Sequence, residues 1–245
     1  MPEHPSRENS PVFATTRWSV VLAARDGSDG SARPALETLC RTYWPALYGY
    51  ARRRGLSAHD AEDATQSFFA LLVEKNYLAV VQREKGPFRA FLQMAFRRFL
   101  SKERDRAAAL QRGGRALHLS LDFAGAECGY AAEAPHLPAD EVFEQRWALT
   151  VLTTVMFALR EEARANGREA EFEVLKKSLS TPRDDLRYVE IATALHVSEG
   201  AARVAAHRLR KRFRELFRQE VAHTVAAHED VDEELRHLAA TLARS

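Results

Sequence analysis

Tyr188-Val189-Glu190-Ile191-Ala192-Thr193-Ala194-Leu195-His196-Val197-Ser198-Glu199-Gly200-Ala201-Ala202-Arg203 is the stretch that decides the fold of this chain. Val189, Ile191, Ala192 and Leu195 fall on one face of a short helix. His196-Val197-Ser198 interrupts it, with Val197 expected beneath the turn. Ser198 is suited to cap a second helix, because its hydroxyl can accept a bond from a backbone N–H of the first turn. In that second helix Ala202, Ala205, Leu209, Phe213 and Leu216 recur at helical spacing. Small residues at Gly200 and Ala201 allow the helix start to approach another surface closely.

Two short helices joined this way, with Arg203, His207, Arg208, Arg210, Lys211 and Arg214 off the apolar stripe, suit a helix that enters the major groove of DNA. Arginine pairs with guanine edges, and other cations meet phosphate. A solvated basic helix in an ordinary bundle is the plainer alternative.

Helical periodicity also dominates the rest of the chain, and no alternating set of strands stands out, so an all-α fold is expected. Helices are predicted from about Ala32 to Arg54, with Pro45 kinking or splitting the run and Gly55 ending it. Ser57 with Asp60 three residues on marks the next start as a capping box. A third helix begins at Phe88, with Phe88, Phe91, Leu92, Ala95, Phe99 and Leu100 inward and Arg89, Arg97, Lys102 and Arg104 outward. A second helical block begins near Asp140, and Gly167 and Thr181-Pro182 break it. This divides the chain into a loose tail at 1–12, a helical domain at 13–112, a linker at 113–139, a helix-turn-helix domain at 140–222 and a helical extension at 223–245.

The formal net charge over 245 residues is only +2, yet arginine and lysine crowd into 83–115 and 203–218. Two basic patches on a near-neutral chain imply two contacts with a polyanion. No run of about 18 apolar residues exists, so no membrane insertion is expected. No secretory pattern is visible at the start of the sequence, so a cytoplasmic location is expected. The 2 cysteines, Cys40 and Cys128, are too few for a disulfide framework or a thiolate zinc site. The histidines are scattered, and no phosphate loop, dinucleotide fingerprint or nucleophile elbow is present. No enzymatic activity and no cofactor are expected.

Four blocks in order resemble the extracytoplasmic-function family of sigma factors. Tyr43-Trp44-Pro45-Ala46-Leu47-Tyr48-Gly49-Tyr50-Ala51-Arg52-Arg53 is similar to its first conserved helix. Asp60-Ala61-Glu62-Asp63-Ala64-Thr65-Gln66-Ser67-Phe68-Phe69 is similar to its polymerase-binding helix. Phe88-Arg89-Ala90-Phe91-Leu92 resembles the start of its promoter-melting helix, and Tyr188 to Phe217 the module that reads the −35 element.

The resemblance implies a noncatalytic subunit that binds core RNA polymerase and promoter DNA and directs initiation. An anti-sigma factor or other regulator is a further implied partner. Asp60, Glu62, Asp63, Gln66 and Phe69 would meet the polymerase. Arg89, Arg97, Arg98, Lys102 and Arg104 would face the −10 element, with Tyr77 or Phe88 as stacking candidates, although Phe88, Phe91 and Phe99 suit a core better. Ser198, Arg203, His207, Arg208, Arg210 and Lys211 would face the −35 element. Three departures stand out: Phe91 where the family often has Trp, Arg98 where Asn is common, and His196 where the turn usually has Gly. The alternative function is a helix-turn-helix regulator that acts without recruiting polymerase.

Overall fold

The computed structural model describes residues 18–26, 32–75, 77–109, 137–182, 184–227 and 230–244. The tail at 1–12 and nearly all of the expected linker at 113–139, with its Gly113-Gly114 start and Cys128, lie outside them. Every regular element among the described residues is a helix, and none is a strand. We number the α-helices α1 (Trp18–Asp26), α2 (Ala32–Arg53), α3 (Ala58–Glu74), α4 (Phe88–Ala109), α5 (Ala139–Ala165), α6 (Glu169–Leu175), α7 (Tyr188–Leu195), α8 (Glu199–Ala222) and α9 (Val231–Ala243). Short 3₁₀ turns at Tyr77–Val80, Arg83–Lys85 and Lys176–Leu179 connect some of them.

Local chemistry sets the boundaries. Ser57 caps α3: its Oγ accepts from the Asp60 N–H at 3.1 Å and donates to the Asp60 carboxylate at 2.7 Å. Gly55, at φ 94°, lets the chain leave α2 in a conformation that disfavours a side chain. Pro45 does not split α2, which runs unbroken through it. The Pro45 carbonyl accepts a hydrogen bond at 3.1 Å from Nη1 of Arg146, more than a hundred residues away in sequence.

Aromatic rings fill the centre of the first block. Phe68 packs on Phe96 at 5.0 Å and on Phe99 at 5.6 Å between centroids, and Tyr43 meets Phe88 edge-on at 5.5 Å. Phe96 is wholly buried and belongs to the inward stripe of α4 alongside the positions expected there. The same core takes in residues from beyond the linker: Phe143, Trp147, Ala148 and Val151 of α5, Val221 of α8, and Val231 and Leu238 of α9. Helix α5 therefore faces two ways. Its first half packs on α2, and its second half, through Val155 and Leu159, continues toward α8. A backbone bond of 3.1 Å from the Trp18 N–H to the His223 carbonyl joins α1 to the end of α8.

Cys40 lies in this core. Burial, with Glu37 nearby, pushes its thiol up to about 12, so almost no thiolate forms at neutral pH. With Cys128 replaced by serine, native protein is expected to react with a disulfide reagent at least a hundredfold more slowly than the urea-unfolded chain. Equal rates would show that the α2 core opens readily.

Candidate nucleic-acid interface

The pair α7 and α8 is joined by His196, Val197 and Ser198. His196 takes the left-handed conformation at φ 55° and ψ 42°, a position where glycine carries less steric cost. The Val197 N–H bonds the Ala192 carbonyl at 3.0 Å and the His196 N–H bonds the Thr193 carbonyl at 3.3 Å. This closes α7 as a Schellman motif. Ser198 then caps α8, its Oγ accepting from the Ala201 N–H at 3.2 Å. The helices cross on small side chains: Ala192, Ala202 and Ala206 are buried. The inward register of α8 centres on Ala202 and Ala206, while Ala205, Leu209, Phe213 and Leu216 are half-buried. Val197 is not beneath the turn but 44% exposed.

Of the six positions expected to face DNA here, Ser198, Arg203, His207, Arg208 and Lys211 are exposed. Arg203 is held in place by the Glu199 carboxylate at 2.6 Å and lies 4.6 Å above the Tyr188 ring. The Glu199 hydrogen bond raises its pKa. Arg210 corrects the expectation. It is half-buried and donates to the carbonyls of Ser178 at 2.9 Å and Thr181 at 2.7 Å, so it fastens α8 to the preceding loop. Arg212 acts similarly, bonding the Glu162 carboxylate of α5 through two nitrogens. Those bonds hold the Glu162 carboxyl below the usual range. Behind the start of α8 lies an open groove of about 490 Å³, lined by Leu159, Phe172, Leu175, Ala201, Val204 and Leu209, with Arg168 and Arg208 at its rim.

On α4, Arg97, Arg98, Lys102 and Arg104 are exposed. Arg89, expected beside them, is not. Its side chain is only 8% exposed, lies 3.0 Å from the Glu144 carboxylate and 2.7 Å from that of Glu234, and covers the Trp147 ring at 4.3 Å. Burial works against its charge, but Glu144 and Glu234 outweigh burial and raise its pKa. Of the stacking candidates, Phe88 is core at 3% and Tyr77 is 37% exposed. Val73 and Val80, which no sequence pattern singled out, are exposed close to Tyr77 in sequence.

On α3, Asp60 and Asp63 are exposed and Glu62 is half-buried. Gln66 and Phe69 are buried, contrary to the expected polymerase-facing role. Helix α3 packs on α2 and α4, and Gln66 and Phe69 lie on the side that this packing covers. Among the described residues no group of three or more His, Cys, Asp or Glu is placed to hold a metal ion, and no helix is long and apolar enough to cross a membrane. The chain matches no protein-family model, no curated protein and no solved structure at a significant level.

Proposed function

We propose that this chain is a sigma factor of the extracytoplasmic-function type, binding core RNA polymerase and directing promoter-specific initiation. One observation carries the reading. The block at 43–53 is largely core, but the helices that carry the other three resembling blocks leave exposed surfaces with suitable chemistry. These are the acids Asp60 and Asp63 at the start of α3, the cations Arg97, Arg98, Lys102 and Arg104 along α4, and Ser198, Arg203, His207, Arg208 and Lys211 beside the α7–α8 turn.

Each surface suits its role. Exposed carboxylates steer and register a basic partner surface. Helix α4 offers a row of cations to a strand backbone, as opening the −10 region requires. The capped start of α8 carries small side chains, so its backbone can come close to a −35 major groove while arginines reach bases and phosphates.

Transcription from purified components is the test: core polymerase, this chain and a promoter selected by the resulting holoenzyme. Reversing Asp60 and Asp63 to lysine is expected to abolish polymerase binding while DNA binding by the isolated chain persists. Arg208→Ala is expected to weaken promoter binding about tenfold and to lower the slope of log affinity against log salt by about 1. No promoter-dependent transcript with any core enzyme would overturn the proposal. DNA binding and regulation unaffected by the acidic reversal would favour a regulator that does not recruit polymerase.

A further inference from the structure

Three helices far apart in sequence meet at one buried cation. The guanidinium of Arg89, on α4, donates through Nε to Glu144 of α5 at 3.0 Å and through Nη2 to Glu234 of α9 at 3.0 Å, and its Nη1 lies 2.7 Å from the other Glu234 oxygen as an ion pair. Its flat face lies 4.3 Å from the Trp147 ring. His237 of α9 reaches the same Glu144 carboxylate at 3.2 Å. Around this cluster Val231 and Leu238 seat α9 in the common core, and Asp232 pairs with Arg218 of α8. Helix α9 packs on α5 and α8 and reaches the block at 18–109 through the Arg89–Glu234 pair and the shared core.

A buried ion cluster is a poor way to gain stability. Apolar side chains of similar volume often hold a fold equally well. What charges add is a contact that is firm when complete and costly when one partner is missing, which suits a junction that opens and closes.

The proposed function requires such opening. Elements named −10 and −35 lie about 25 base pairs apart, or about 85 Å along B-form DNA at 3.4 Å per step. A compact chain of this length has a radius of gyration of about 18 Å and is roughly 45 Å across. With α2, α5 and α9 in one core, α4 and α8 cannot reach both elements.

We propose that α9 is an intramolecular latch. Arg89, Glu144 and Glu234 hold the two helical blocks as one closed body, and parting them releases α4 and α8 to separate. The purpose given to this motion rests on the sigma-factor reading; the latch itself rests on the cluster and the shared core.

The test is a distance measurement on the full chain, with spin labels at cysteines replacing the exposed Lys75 and Arg164, in a Cys128→Ser background that leaves buried Cys40. Unaltered α9 should give one short distance. Glu234→Gln is expected to shift the balance toward a form longer by tens of ångströms, by about a hundredfold, or about 2.8 kcal/mol at 1.4 kcal/mol per decade. Ending the chain after Ala227 should do at least as much. Replacing Arg89, Glu144 and Glu234 together by methionine, leucine and methionine should restore the short distance.

Unchanged distances in both Glu234→Gln and the shortened chain would overturn the latch. So would lengthening accompanied by loss of helical circular dichroism, since that is unfolding. Core-polymerase binding by the same variants keeps the two ideas separate. Variants that open but bind no polymerase count against the sigma-factor reading and leave the latch standing.

Discussion

Trp147→Ala should remove about 3–5 kcal/mol of folding stability, a large share of the 5–15 kcal/mol that a typical protein possesses. The indole is 1% exposed at the junction of α5 with the first block. Deleting it leaves a void that rigid neighbouring helices fill only in part. The loss has a second component, because the guanidinium of Arg89 lies over that ring. Stacking of a cation on a desolvated aromatic contributes about 0.5–2 kcal/mol. Trp147→Phe should retain roughly half of the stability, since a smaller ring still fills space and still presents a face. Urea unfolding followed by circular dichroism measures both. A loss below about 1 kcal/mol for the alanine variant would mean that α5 does not pack on α2 in solution.

The second prediction reverses an ordinary rule. Alanine in place of glycine within a helix normally gains about 1 kcal/mol. Gly49→Ala in α2 should instead lose about 2–3 kcal/mol. A methyl group there would stand 2.4 Å from Nε and 2.5 Å from Cδ of Arg146. Arg146 is itself buried and donates to the Pro45 carbonyl, so it has little room to withdraw. Displacing it adds overpacking, at about 1–3 kcal/mol, to a weakened charge-assisted hydrogen bond. The decisive comparison is a double-mutant cycle. In an Arg146→Ala background the obstruction is gone, and Gly49→Ala should become stabilising by up to about 1 kcal/mol. The same sign in both backgrounds would remove Arg146 as the cause.

Local features of this fold were largely legible in the sequence. Ser57 and Ser198 cap the helices that their spacing implied. His196, a departure from the glycine that the resemblance implies, still takes the left-handed conformation. These features depend on a few neighbouring residues, so a short window contains the whole cause.

The misplaced site residues share a different cause. Arg89 was expected at the surface because the periodicity of α4 puts it off the apolar stripe, and that inference assumes water lies beyond the polar face. Its carboxylate partners stand 55 and 145 residues further along the chain. Gln66 and Phe69 were expected to be available because the resemblance put them in a polymerase-facing block, yet packing of α3 on α2 and α4 buries both. Arg210 looked like any other cation on a basic helix, and only the placement of the Ser178 and Thr181 carbonyls shows its anchoring role. In each case the missing information was which distant segment arrives at the polar side of a helix.

The shared core also bears on the order in which the protein is made. Helix α2 leaves the ribosome with Tyr43, Leu47 and Tyr50 ready to be buried, but part of their cover, α5, begins about ninety residues later. At 5–20 residues per second that delay is roughly 5–18 s. Helix α9 arrives last of all. During that interval the nascent chain has an apolar side with no native partner, the condition under which chaperones bind and incomplete chains aggregate. Until α5 arrives, the side of α2 that it will cover is the surface most in need of protection.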